Sequence, residues 1–434
     1  MEFSFLKKLD SHAHEILSKG AIAFILKIMG AGLAFLFHMA IARYLGASGS
    51  GVYFLSLTII TFVATVTRLG MDNSVTRFVS AYASEHEWVK VKGVVRYALL
   101  ITLVLALIIS VALFYSADWL ASTVFDMAEL AIPLQLMSLV ITPLALMTLY
   151  AKALQGLKRV RDAMLMQSVL TPLLACVALY YLAPLYGNTG AVSAYGIGVV
   201  ITLIFGFCQW QRAKSAWKQI RAAFSAKQLL ASSLPLLGAE VLKQVMQALP
   251  LILLGVWGSS VDVGLFGVAQ RTASLVSLVL IAANIIVAPK LAELYQQKNM
   301  LALGRIARHG SLLMTAMAAP ALLLFLIVPQ WVMSLFGAEF AVGWQLLVIM
   351  ALGQLINVMT GSVGFLLMMT GNERSYLSAN MIAALLCVIL ACALIPPYGG
   401  LGAAVAAAVP LAIVNLLRVR YVWRSMGIMT LPWL

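Results

Sequence analysis

Lys27, Glu240, Lys243, Gln244, Gln247, Gln270 and Arg271 stand in stretches that are otherwise apolar for roughly twenty residues, the length of a membrane span. An ionisable side chain in such a stretch costs free energy, and it faces a cavity or a partner rather than hydrocarbon. Glu240 and Lys243, three apart, share one helix face and can pair. Three cations then stand against one carboxylate, so about two positive charges lack a partner, at several kcal/mol for each buried ion. A hydrated cavity that receives an anion, such as a diphosphate, removes the imbalance. Arg271 suits phosphate through its planar fork, and Lys27 and Lys243 suit it as mobile point charges. Lys27, Lys243 and Arg271 are therefore the expected substrate-binding residues, with Gln244, Gln247 and Gln270 as further polar lining. Glu240 is the candidate for proton coupling, because an arriving anion would change its proton affinity.

Two other sets of charges have a structural reading. Arg43 is expected to reach the headgroups from the end of its helix. Arg68 and Asp72, four apart, are expected to pair within one helix.

Nothing in the chain suggests catalysis. No HExxH, GxSxG, phosphate-binding loop or GxGxxG occurs in a loop-to-helix context. Asp118, Asp126 and Glu129 form the only compact acidic group and read as a solvated loop face, so no metal site is expected. Cys176, Cys208, Cys387 and Cys392 lie in apolar stretches without metal-ligand spacing and read as small buried thiols. No cofactor is implied.

The elements that must position the charged residues are membrane helices. Of 434 residues, 63% are hydrophobic and 10% charged, with a mean hydropathy of +0.99. A soluble domain carries about 25% charged residues, so lipid is the solvent here. Apolar stretches without strict alternation exclude a β-barrel. The pattern predicts an all-α polytopic protein with twelve spans, near 20–44, 51–75, 94–115, 130–152, 163–184, 189–210, 229–256, 263–288, 309–328, 342–370, 376–396 and 400–417. The first reads as a retained helix rather than a cleavable signal. Residues 1–19 mix Phe and Leu with Lys and are expected to form a short interfacial helix.

A net charge of +14 raises the question of nucleic acid. The basic residues, however, sit in short loops on one side of the predicted spans. The N-terminus, the even-numbered loops and the C-terminal tail carry 24 of the 29 Lys and Arg, and the odd-numbered loops carry none. Positive loops stay in the cytoplasm, which predicts an inner-membrane protein with both termini cytoplasmic.

The chain also repeats itself. Gly51-Val-Tyr-Phe54 returns as Gly264-Leu-Phe-Gly267, and Arg77 falls opposite Lys290, both at an offset of 213. Pro184-Leu-Tyr-Gly-Asn-Thr-Gly-Ala191 returns as Pro396-Pro-Tyr-Gly-Gly-Leu-Gly-Ala403 at 212, and Leu154–Arg159 matches Met369–Arg374 at 215. The offset sets Lys27 against Glu240. Two six-helix repeats of the same orientation follow, related by a pseudo-two-fold along the membrane normal with a substrate site between them. The expected divisions are an interfacial segment 1–19, a bundle 20–211, a basic linker 212–228, a second bundle 229–424 and a tail 425–434.

The segments ARYLGASGSGVYFLSLTII (42–60), RLGMDNSVTRFVSAYA (68–83), LQGLKRVRDAML (154–165) and IPPYGGLGAAVAAAV (395–409) carry a resemblance over nearly the whole chain. They look like the polysaccharide transporter (Wzx-type, O-antigen flippase) family of the multidrug/oligosaccharidyl-lipid/polysaccharide exporter superfamily. The resemblance implies a V-shaped fold like that of the multidrug and toxic compound extrusion (MATE) transporters. It also implies alternating access that moves a polyprenyl-diphosphate-linked oligosaccharide, such as an O-antigen unit of lipopolysaccharide, to the periplasmic leaflet. A polysaccharide polymerase is a candidate partner. Multidrug exporters are the nearest alternative, but they use acidic residues in the first helix, where this chain has Lys27. Lipid II flippases typically have fourteen helices, and no apolar span follows Arg424 here. A membrane glycosyltransferase or polymerase would need an acidic cluster or a large outer loop that this chain lacks.

Overall fold

A computed structural model describes residues 2–214 and 222–431. Almost all of these residues are helical. In chain order the helices are α1 (Glu2–Thr67), α2 (Met71–Ser84), α3 (Trp88–Trp119), α4 (Ala131–Gly156), α5 (Val160–Met164), α6 (Thr171–Ala213), α7 (Ala226–Trp257), α8 (Ser260–Ser274), α9 (Ser277–Gln296), α10 (Met300–Ile327), α11 (Pro329–Ser334), α12 (Trp344–Met359), α13 (Val363–Met369) and α14 (Glu373–Met426). Among the described residues nine stretches are long and apolar enough to cross a membrane.

Three of the nine are helical hairpins. α1 reverses at Gly46, α6 at Gly187 and α14 at Gly399, each with a positive φ that a residue bearing Cβ adopts only under strain. Contacts across each bend confirm the reversal: Phe37 with Tyr53, Thr171 with Thr202, and Asn380 with Arg418. Counted as separate arms, these make twelve crossing segments, in keeping with the expected number. Gly187 and Gly399 have nearly the same backbone angles (φ 53 and 51, both ψ −127), as the repeated Tyr-Gly turns led one to expect.

The structure differs from the expected spans in several places. The second helix does not run unbroken over 51–75. It ends at Thr67, turns through Leu69 and Gly70 at positive φ, and resumes as α2. Arg68 and Asp72 do pair at 2.8 Å, but across this turn rather than within one helix. The expected 263–288 helix is interrupted between α8 and α9, and the expected 342–370 helix breaks at Gly361. The last helix continues beyond residue 417 to Met426, so Arg418 belongs to the helix interior and not to a tail. The N-terminal segment is continuous with α1 from Glu2 rather than a separate helix. Cys208 and Cys392 are exposed on the helix surface, and only Cys387 is fully buried.

Call the end of the molecule that carries the basic loops the basic face. At the opposite end the chain before and after the linker meets along a seam of small residues. The second arm of α1 crosses α8 where Gly51 lies on the Ser260 carbonyl and Gly264 on the Ala47 carbonyl. These are the two glycines matched by the repeat. Ser48 and Ser260, also matched at 212, hydrogen-bond to each other at 2.7 Å. Arg43, expected to reach headgroups, instead donates from Nε to the Leu335 carbonyl at 2.9 Å. Glu339 accepts from the Ala47 N–H at 3.0 Å and so caps the arm that begins after Gly46.

Near the basic face, α2 packs on the start of α7, with Gly70 against Ser233 and Leu237 and Arg77 donating to Ser232 Oγ at 2.6 Å. Within the expected linker 212–228, residues 215–221 lie outside the described residues. Its last residues are docked rather than free. Phe224 lies 5.5 Å from Phe78 and 5.9 Å from Tyr82, and Ala223 N–H donates to the Val89 carbonyl at 3.3 Å.

A methyl group at Gly51 or Gly264 would meet backbone atoms of the facing helix, whereas one at Gly238 would meet nothing within 4 Å. Gly51→Ala and Gly264→Ala should each destabilise the protein by about 1–3 kcal/mol, read as a lowered unfolding temperature in detergent. Gly238→Ala should not. Equal unfolding temperatures for all three would contradict the seam described here.

Candidate functional site

Arg271 is held by both its own helix and the other half of the chain. Ser259 and Asp262 form a reciprocal cap at the start of α8, with Ser259 Oγ accepting from Asp262 N–H at 3.2 Å and Asp262 Oδ2 accepting from Ser259 N–H at 3.1 Å. Twelve residues on, Arg271 Nη1 donates to the Gly267 carbonyl at 3.0 Å. Its guanidinium lies 3.9 Å from the centroid of the Phe54 ring, a cation–π contact across the seam. A Cβ at 267 would strike that ring, so glycine at this position admits Phe54. His38 flanks Phe54 at 5.7 Å between ring centroids.

A cavity of about 680 Å³ opens beside Arg271. Of the expected residues, Lys243, Gln247, Gln270 and Arg271 line it. Gln270 Nε2 donates to the Gln247 carbonyl at 2.9 Å, which joins α7 to α8 at the wall.

The other expected residues are not on that wall. Gln244 donates from Nε2 to Thr65 Oγ1 at 2.9 Å and tethers α7 to α1. Glu240 pairs with Lys243 at 3.4 Å. Lys27, on the first arm of α1, is near enough to Lys152 and Lys243 to feel their like charges. The set therefore divides in two, with Lys243 common to both parts. One part is the cavity; the other is Lys27 with the Lys243–Glu240 pair in its electrostatic range.

The remaining wall was not anticipated. Gln354 and Asn357 of α12, with Tyr376, Asn380, Asn415 and Arg418 of α14, complete the cavity. Arg418 donates from Nη2 to Asn380 Oδ1 at 2.8 Å and from Nη1 to Asn415 Oδ1 at 3.1 Å. Its guanidinium carbon lies 4.7 Å from the Tyr376 ring centroid. The signal was available in the sequence as two asparagines inside apolar spans, at positions 380 and 415. An early end assigned to the last span hid the arginine that joins them.

Among the described residues the ion pairs are Arg68–Asp72, Lys90–Glu87, Arg159–Asp162, Lys243–Glu240 and Lys290–Glu293. Lys27, Arg271 and Arg418 are in none of them. The arrangement offers guanidinium forks, an ammonium group and amide dipoles to an anion, and its wall holds no carboxylate.

Comparison with known proteins bears on family and fold. The profile of a family described as "Polysaccharide biosynthesis protein" matches residues 16–295, well over half of the chain. The chain is 24% identical over 406 residues to the "Probable low-salt glycan biosynthesis flippase Agl15" of Haloferax volcanii, covering 92% of this chain and 81% of that protein. Among solved structures it resembles the lipid II flippase MurJ in an inward closed conformation, with a TM-score of 0.77 at 15% identity over 93% of this chain and 87% of that one. It also resembles an inward-facing multidrug resistance MATE family transporter of the MOP superfamily, with a TM-score of 0.78 at 14% identity over 94% and 98% of the two chains. The fold is thus the one shared by these transporters.

Inorganic diphosphate should bind the purified protein, and Arg271→Ala or Lys243→Ala should each weaken it about tenfold, equivalent to about 1.4 kcal/mol. Isothermal titration in detergent reads the effect. Equal affinity in wild type and both variants would remove this cavity as an anion site.

Proposed function

Since the chain belongs to the polysaccharide biosynthesis protein family, we propose that it is a flippase for a polyprenyl-diphosphate-linked oligosaccharide. It moves this substrate from the cytoplasmic to the periplasmic leaflet of the inner membrane by alternating access. The observation that carries this reading is the cavity that Lys243 and Arg271 line, with Lys27 nearby and no carboxylate on its wall. Lys243 and Arg271 hold the diphosphate, Lys27 adds its charge from off the cavity wall, the sugars occupy the aqueous space, and the polyprenyl chain stays in lipid. Gln247 and Gln270 supply hydrogen bonds at the wall, and Gln244 fixes the helix behind them. Each residue lends affinity that a neutral sugar alone would not command.

In this reading the bundles 20–211 and 229–424 are the moving bodies, the segment 212–228 joins them, and both termini are cytoplasmic. Segments 1–19 and 425–434 lie at the cytoplasmic surface. The protein is not an enzyme, and it works in the bilayer beside the polymerase that extends the glycan. O-antigen of lipopolysaccharide is the glycan class that the resemblance in sequence favours. A cationic drug is a poor fit for a positive cavity, which sets multidrug export aside. Glu240, paired with Lys243, couples the cycle to a proton gradient, because an anion that takes Lys243 from it leaves the carboxylate free to protonate.

Reconstitution in liposomes with a labelled polyprenyl-diphosphate glycan tests the assignment, with transfer read by an impermeant lectin. Wild type should transfer the glycan. Lys27→Ala, Lys243→Ala and Arg271→Ala should each slow transfer about tenfold or more, again about 1.4 kcal/mol. Glu240→Gln should abolish acceleration by an imposed pH gradient. An inert wild type, or full rates in all three alanine variants, overturns the proposal; an unchanged response in Glu240→Gln removes the coupling role alone.

The Ser48–Ser260 contact at the seam gives a second check. The double variant Ser48→Cys/Ser260→Cys should lose transfer on oxidation and regain it on reduction. Undiminished transfer with the disulfide formed would show that this seam need not open.

A further inference from the structure

Arg418 has the geometry of a binding group rather than of a buried structural charge. A structural guanidinium in a protein interior is ordinarily matched by a carboxylate, because unpaired burial is costly. Here both nearest side chains are asparagines, Asn380 and Asn415, each shaped like the aspartate that would neutralise it. The Nε of Arg418 is buried and finds no acceptor among the described residues. The two amide groups are fixed in orientation by their other bonds. Asn380 Nδ2 donates to the Tyr376 carbonyl at 3.0 Å, and Asn415 Nδ2 donates to Asn357 Oδ1 and the Leu411 carbonyl, both at 2.9 Å. Their oxygens therefore have to face the guanidinium, which is held in place with its charge intact and borders the cavity.

Arg418 and Arg271 enter the wall of the same cavity from different helices and at different depths. Arg271 follows the outer turn at Gly258 by thirteen residues, and Arg418 follows the bend at Gly399 by nineteen. At about 1.5 Å per residue Arg418 is about 9 Å nearer the basic face. The cavity thus offers two separated positive sites to one ligand.

We propose that Arg418, positioned by Asn380 and Asn415 and backed by Tyr376, is a second anion subsite that takes an acidic group of the glycan itself. The group is a sugar carboxylate, or a phosphate substituent presenting the same two-oxygen face to the guanidinium. This inference rests on the flippase reading and adds the substrate class to it: the protein prefers an acidic oligosaccharide.

The test uses Arg418→Gln and Asn380→Asp. The second variant keeps the side-chain shape and gives Arg418 an internal carboxylate at the loss of the Nδ2 bond to Tyr376, so its unfolding temperature should stay close to that of wild type. Two disaccharides, one neutral and one containing a hexuronic acid, are titrated into the full-length protein in detergent. Wild type should bind the acidic one about tenfold more tightly than the neutral one, and both variants should erase that difference. In liposomes the same variants should slow transfer of a hexuronate-bearing polyprenyl-diphosphate glycan about tenfold while changing the neutral analogue by less than about twofold. No preference in wild type, a preference that survives in both variants, or equal slowing of the two glycans overturns the inference; equal slowing would assign Arg418 to the lipid anchor's diphosphate. A wild type that binds the acidic disaccharide but transfers neither lipid-linked glycan supports the subsite and refutes the flippase reading.

Discussion

Positive charge without a matching carboxylate, inside a protein built for lipid, is the constraint on which the rest of this structure depends. Each such ion must recover part of the hydration it loses. The chain does this in three ways. Phe54 presents its π face to Arg271. Amide oxygens surround Arg418. Lys27 has the like charges of Lys152 and Lys243 near it and no carboxylate of its own among the described residues, Glu240 being paired with Lys243 at 3.4 Å, so solvent or an anion must stabilise it. None of these substitutes neutralises charge. All of them fix its position, and a positioned but unneutralised cation is what an anion-carrying protein needs.

The scaffold around these charges is close to symmetric, and the charges are not. Glycines matched by the repeat meet at the seam, and matched glycines make the bends of α6 and α14. At the same offset, Phe54 corresponds to Gly267, so one half supplies a ring and the other the space for it. Arg271 corresponds to Thr58, and Lys27 to Glu240. At the offset of 212 that relates the two Tyr-Gly turns, Arg418 corresponds to Gly206, and the Met166 side chain lies against that glycine. The cavity arises where a duplicated framework has kept its backbone contacts and changed its interior side chains. Symmetry supplies the joint, and departure from symmetry supplies the chemistry.

Helix type, approximate span count and the repeat were legible because they depend on long apolar runs and on glycines whose role is local. Breaks within spans were less legible. Leu69 and Gly70 adopt positive φ between Arg68 and Asp72, and the four-residue spacing of that pair reads as one helix face although the chain turns between them. The cations were conspicuous because charge stands out in an apolar run, and Lys243 and Arg271 both line the cavity. Lys27 and Gln244 were expected on the same wall and lie off it, since sequence gives depth along a helix but not its rotation about the axis. Arg418 was missed for the opposite reason. It lies near two further arginines, Arg420 and Arg424, and in sequence a run of positive charge reads as a loop even when its first member points into the protein.

The two ends of the interface are built differently, and this bears on how the proposed cycle would run. At the end opposite the basic face the bonds from Arg43 to Leu335 and from Glu339 to Ala47 join exposed or half-exposed groups. Each bond is worth about 0.5–1.5 kcal/mol net, because water replaces it when it breaks. At the basic face the chain leaving the linker is held by Phe224 against Phe78 and Tyr82, an apolar contact for which water offers no substitute. α7 then starts directly against α2. Rupture of polar bonds that solvent can replace costs less than separation of packed aromatic rings. On these bonds alone, the proposed cycle would part the polar contacts opposite the basic face before the aromatic contacts beside the α2–α7 joint.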